Sequence, residues 1–266
     1  MVLRRDARGV LAIGQPAHAW LCGQLARAWG NQRFGTVEPL EEVALGAEQH
    51  DIGMARSDLE PVRNPETGMP QSFIELELDA RLEMWRAGPR RLIPQNRYAA
   101  LLAAIHGRRL YERQDPEAAP GLQAGAIGAF LAQSRALEAW LLASLRSDPA
   151  TASCATPELV ARNSQLVWTW DALSLALLVK DWSPRTLEAV PTADAGAVDI
   201  RLRAGGERAG VALASLDPWP FAAPVVGLHC EGRRLIDGSE SQEELVAGFA
   251  AAPWETVEFE LTPADS

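Results

Sequence analysis

The aspartate at position 171 constrains this chain more than any other residue. It lies between Val167 and Leu175 at four-residue spacing, and Leu178 continues the same stripe. That spacing puts these side chains on one face of a helix, the face that turns inward. An ionised carboxylate there is costly unless it is paired or binds a metal. The helix is expected to run from Thr156 to Trp182, with Thr156 as N-cap and Pro157 as its first residue. A fold built on this helix has to bring a positive partner to its middle.

The chain has only four histidines. His18 falls on the inward stripe of a helix expected from Pro16 to Trp29, four residues before Cys22 and seven before Leu25. His50 and Asp51 close the apolar stripe Leu40, Val43, Ala44 and Ala47 of a second helix. His106 shares a face with Tyr98 and Leu102 on a helix expected over 96–113. His229 lies on an expected strand with no ionisable companion and is set aside. Each position has an ordinary explanation: a hydrogen-bonded core histidine, Asp51 as a cap, Asp171 paired with a buried arginine. Together, imidazoles and carboxylates on the facing sides of four helices are what a helix-bundle metal site requires.

Composition excludes several function classes. Hydrophobic residues make up 47% and charged residues 23%, as in soluble globular proteins. The formal charge of −10 argues against a duplex nucleic-acid partner, which needs a basic surface. Cys22, Cys154 and Cys230 form no Cys-x-x-Cys pair and read as buried small hydrophobes, so a reducing cytoplasm is expected. Gln15, Pro16 and His18 interrupt any signal-peptide core, and no stretch approaches the roughly 20 apolar residues of a membrane helix.

Three segments are expected to form one body. Residues 1–15 read as a hairpin around the turn formers Asp6 and Gly9. Residues 16–182 are helical, with further helices over 75–87 and 122–147 and a loop at 56–72 rich in proline and glycine. Residues 183–266 read as a small α+β unit. Its strands are Val225–Cys230 and the period-2 runs Val198–Leu202 and Val257–Leu261, and its helix spans Ser241–Ala251. The expected class is therefore mainly α: a helical bundle with a small C-terminal unit, whose sheet can include the N-terminal hairpin.

The order His18, His50-Asp51, Asp171 resembles the H…HD…D signature of the HD superfamily of metal-dependent phosphohydrolases, and His50-Asp51-Ile52-Gly53 is similar to its His-Asp-Ile-Gly form. Gln15-Pro16-Ala17-His18, His106-Gly107, Trp170-Asp171-Ala172-Leu173-Ser174-Leu175 and Asp217-Pro218-Trp219-Pro220-Phe221 look like a bacterial family of unknown function placed in that superfamily. The resemblance implies an HD-type bundle with His18, His50, Asp51 and Asp171 as metal ligands. His106 would be an added histidine, and Asp51 the carboxylate able to bridge two ions. Met54 departs from the lysine common after that glycine, and the paired histidines often found before the last aspartate are missing, which favours one ion over two.

Mixed nitrogen and oxygen ligands suit Mn, Fe, Co, Ni or Zn. The expected function is hydrolysis of a small phosphoester or nucleotide by metal-activated water, with Asp51 and His106 catalytic and Arg108 and Arg109 meeting phosphate. The rivals are an HD-type iron oxygenase and a catalytically silent metal-binding regulatory domain. Asn163, two turns before Asp171, is a further candidate to support the site. A homodimer is compatible with all three readings.

Overall fold

The computed structural model describes residues 1–113, 121–179 and 185–264. The chain opens with the hairpin β1 (Val2–Asp6) and β2 (Gly9–Ile13). Helices α1 (Gln15–Ala28), α2 (Leu40–Glu48), α3 (Ala55–Leu59), α4 (Leu78–Leu92), α5 (Arg97–Glu112), α6 (Gly121–Arg146) and α7 (Pro157–Leu178) follow. Strands β3 (Arg185–Pro191), β4 (Ala197–Arg208), β5 (Val211–Asp217) and β6 (Val226–Leu235) come next, then α8 (Gln242–Ala251) and β7 (Trp254–Pro263). The expected end of α7 at residues 180–182, and with it the 182/183 segment boundary, lies outside the described residues.

The helix starts follow local chemistry. The Asn96 side chain accepts from the amides of Tyr98 and Ala99, Thr156 from Leu159, and Ser241 from Glu244. Each bond satisfies an amide that the first helical turn leaves unpaired.

The strands form one seven-stranded sheet in the order β1-β2-β6-β7-β5-β4-β3, antiparallel except for the parallel pair β5 and β7. Strand β2 pairs with β6 through Val10–Ala12, so both ends of the chain meet in one sheet. Inward residues alternate along the strands: Ile200 and Leu202, Ala212, Ala214 and Leu216, Val226, Leu228 and Cys230, Phe259 and Leu261. Helix α1 packs on β6 and α7 on β3, while α2 and α5 pack behind them. One hydrophobic cluster runs from Leu21 and Leu25 through Leu101, Trp170 and Leu177 to Val226 and Leu261.

This architecture corrects the mainly α expectation. About 50% of the protein is helical and 24% strand, and the mixed sheet is a full layer of an α/β fold. Two strands were not recognised. In β5 two of the three inward positions are alanines, which give little strand signal, and β3 is broken by a register shift between Leu187 and Val190. Besides its hairpin partner β4, β5 pairs with β7, dozens of residues away, so no local pattern betrays the parallel pairing.

Candidate metal centre

Four helical segments bring the singled-out residues together. His18 comes from the first turns of α1, His50 and Asp51 from the turn after α2, His106 from the last turns of α5, and Asp171 from the middle of α7. His18, His50, Asp51 and His106 are 1–3% exposed and Asp171 is 8%. His18 Nε2 lies 2.9 Å from Asp171 Oδ1 and 3.6 Å from Asp51 Oδ2. His50 Nε2 lies 3.5 Å from Asp51 Oδ2 and 3.4 Å from Asp171 Oδ1. His106 Nε2 is 3.9 Å from Asp171 Oδ2. Asp51 heads a short 3₁₀ turn, Ile52–Met54, without capping it, so its carboxylate is left to the cluster.

The far sides of two imidazoles fix what they present inward. His50 Nδ1 is 2.7 Å from the Ala47 carbonyl, an acceptor only, so that nitrogen carries the proton. Ser174 gives its hydroxyl proton to the Asp171 carbonyl at 2.9 Å and therefore accepts from His18 Nδ1 at 2.8 Å. In the neutral tautomers set by these bonds, both Nε2 atoms turn lone pairs toward carboxylates. Lone pair facing anion is repulsive unless a cation sits between them. At His18 the 2.9 Å contact with Asp171 is a hydrogen-bond distance. At His50 the contacts are long, and its Nε2 has no hydrogen-bond partner among the described residues.

The electrostatics point the same way. Burial pulls the His50 imidazole down, but the Asp51 and Asp171 carboxylates outweigh it and lift its pKa to about 9. Burial acts against the Asp171 carboxylate too, yet the contacts of His18 and His50 hold it well below the ordinary carboxylate range, with no charge needed from the neutral His106. For Asp51 burial wins over the attraction of His50 and His18, and its pKa is raised. His106, buried and next to the positive His50, is lowered to about 3 and stays neutral. The two carboxylates thus compete for too little positive charge, and a divalent cation would relieve both. Buried, unpartnered His50 Nε2 and His106 Nδ1, three imidazoles and two carboxylates make a donor set that fits a borderline transition metal.

Some residues that shape the site were not anticipated. Ser174 lies three residues beyond Asp171 on the same face, a spacing visible in the sequence. Cys22, read as a small hydrophobe, places its sulfur 3.3 Å from Ser174 Oγ and within ligand distance of His18 and His50. Burial and the Asp171 charge push its thiol well above the ordinary value, so it remains a protonated neighbour. Trp85 and Trp168 pack against His106 with their rings tilted by 41° and 42°, at 5.7 and 5.5 Å between ring centroids. Gly107 admits Trp85, because a Cβ there would lie 2.6 Å from the indole. Gly53 admits α4, whose Met84 carbonyl would meet a Cβ at 2.0 Å. Met54 is buried in the core beside Leu82 and Trp85.

Arg108 bonds Glu138 at 2.6 Å and also Glu112. Arg109 donates to the Ser164 carbonyl at 3.2 Å and to Gln165 Oε1 at 2.6 Å, with its guanidinium 4.8 Å from the Trp168 ring. Asn163 does not support the cluster. Its amide donates to Tyr98 Oη and the Glu38 carbonyl, bracing α5 and α7 elsewhere. His229 sits on β6 against Trp20.

Fold and site together define an α/β protein with a buried three-histidine, two-aspartate cluster on its helical side. The chain matches the model of DUF3891, described as a protein of unknown function, over residues 1–237, and it belongs to that family. No curated protein and no solved structure matches the chain. The HD resemblance is thereby corrected: no HD-type family model matches, and a curled mixed sheet with helices stands where a helical bundle was expected. The signature rested on four residues, and any fold that gathers imidazoles and carboxylates from successive helices can reproduce such an order. The family match stops before α8 and β7, although β7 lies in the middle of the sheet between β6 and β5. Among the described residues no helix is long and apolar enough to cross a membrane.

Proposed function

We propose that this protein is a metal-dependent hydrolase acting on a small phosphoester or nucleotide. One divalent transition metal, Mn, Fe, Co, Ni or Zn, would be held by His18, His50, Asp51 and Asp171, with His106 at its side. The observation that carries the reading is the buried His50 Nε2, turned by its Ala47 hydrogen bond toward two carboxylates without a partner of its own. When bound, such an ion lowers the pKa of a coordinated water and polarises a phosphoryl oxygen.

The chain's own residues supply the rest. Asp51, set between His18 and His50, would take the proton of that water at its carboxylate oxygen. His106 stays neutral and would help orient the water beside Asp171, toward which its Nε2 turns. Access is from the Asp171 side, since 12% of that side chain reaches solvent while the others are closed. Ser174 and the Ala47 carbonyl hold the two ligand imidazoles in orientation. A cytoplasmic location accompanies this reading, in keeping with three free thiols, and a homodimer is compatible with it.

Elemental analysis of protein purified without added metal, wild type beside His50→Ala, tests the proposal. About one transition-metal equivalent in wild type, lost in the variant, followed by turnover on a phosphoester panel, is the expected result. No metal in either protein after reconstitution would overturn it, and iron with oxygen uptake would replace hydrolysis by oxygenation.

A further inference from the structure

The stripe of α5 that carries His106 continues toward the surface through Arg109 and Arg113, three and seven residues on. Opposite it, the stripe of α7 that carries Asp171 continues through Trp168 and Gln165. Trp168, half-buried, joins the two rows. Its ring is 5.5 Å from His106, 4.8 Å from the Arg109 guanidinium and 4.4 Å from that of Arg113.

Two guanidiniums gathered on one indole repel each other, and among the described residues neither forms an ion pair, although the nearby Glu112 carboxylate attracts Arg109. The partners of Arg109 are a carbonyl and an amide oxygen, both uncharged. Among the described residues Arg113 makes no ion pair, whereas neighbouring Arg108 is bound to Glu112 and Glu138. Burial and then the charges of Arg113 and Arg108 pull the Arg109 guanidinium below its ordinary range, a mark of that crowding. The cationic pair belongs to a chain of net charge −10, and its members stand one and two helical turns beyond His106 of the candidate metal centre.

We infer that Arg109 and Arg113, held on Trp168, receive a second anionic group of the substrate, a phosphate distinct from the one presented to the metal centre. The indole keeps both forks in place, so little side-chain freedom is lost when the anion arrives. The two ring contacts between His106 and Arg109 set the anion apart from the reacting group. The substrate class is therefore a phosphoester carrying an additional phosphate, rather than a simple monoester of a neutral alcohol. This inference deepens the proposed function and rests on it for the reaction, although the anion site can be tested by itself.

Inorganic pyrophosphate is the probe, titrated calorimetrically into the metal-reconstituted protein at fixed ionic strength. Wild type is compared with Arg113→Met, Arg109→Met and the distant control Arg208→Met. Arg113 and Arg208 are exposed, so those two variants remain informative if Arg109→Met does not fold. Arg113→Met and Arg109→Met are expected to weaken binding on the order of tenfold each, with metal content unchanged and the control like wild type. Equal affinity in all folded variants, or no binding to wild type, would overturn the inference while leaving the metal reading intact. Arg113-dependent binding in a protein that never takes up metal would do the reverse.

Discussion

Two buried ionisable groups, one in the sheet and one among the helices, show how differently this chain treats charge. Arg234 on β6 is 7% exposed, and its guanidinium is fully engaged: Glu255 takes bonds of 3.1 and 2.8 Å and Asp6 one of 3.1 Å. The sheet has answered a buried cation with acids of fixed geometry, which is what a structural ion pair requires. In the helical cluster, by contrast, carboxylates and imidazoles lie 2.9–3.9 Å apart in pairs that leave His50 Nε2 and His106 Nδ1 without partners. A satisfied network stabilises. A cluster that leaves buried nitrogens without partners is where the proposed metal would bind. On the proposed reading, the sheet side serves stability and the helical side chemistry.

The contrast is broken first by exchanging deletions. Phe221 is buried against Trp29 and Trp219 at the junction of sheet and helices. Phe221→Ala should cost about 3–5 kcal/mol in urea unfolding, with metal stoichiometry unchanged. Asp171→Ala should abolish metal uptake while leaving helical content largely intact by circular dichroism at 25 °C. Its metal-free form should lose up to about 3–5 kcal/mol, because three imidazoles lose the anion they share. If Asp171→Ala instead keeps its metal, the division between the two regions collapses.

A smaller change sharpens the same contrast. Ser174→Ala removes the acceptor that fixes the His18 tautomer and no ligand atom. Metal affinity should fall by roughly 10–100-fold with the overall fold retained, as competition with a chelator would measure.

The smallest effect expected is in pH dependence. In the metal-free protein the His50 pKa is raised from 6.5 to about 9, so its contribution to stability is complete below pH 6.5 and is lost as pH rises through 9. Metal has to displace that proton, so metal affinity should rise over the same interval. The Tm gained on metal loading should therefore be larger at pH 9 than at pH 6.5. An equal gain at both values would mean that His50 is not the group displaced.

Much of the site was legible because its signal is local. Asp171 on an apolar helical stripe, and His18 and His106 on stripes of their own, are statements about 3.6-residue periodicity. Less of the fold was legible, for the opposite reason. β5 forms a hairpin with β4 and pairs in parallel with the distant β7, and Ala212 and Ala214 give little propensity signal for it. The roles of Ser174 and Trp168 were equally hidden. Ser174 looks like an ordinary helix serine until α1 brings His18 to 2.8 Å, and Trp168 looks like core until Arg109 and Arg113 stack on it.

The sequence by itself determined which side chains turn inward, since helical and strand periods are properties of a few consecutive residues, and it thereby chose the ionisable groups that had to be answered. Only the tertiary structure decided which of them meet, which nitrogen of each imidazole faces the carboxylates, and that a seven-stranded sheet rather than more helices closes the core. Those outcomes depend on contacts between segments as far apart as His18 and Asp171, and long-range contacts leave no periodic trace in the chain.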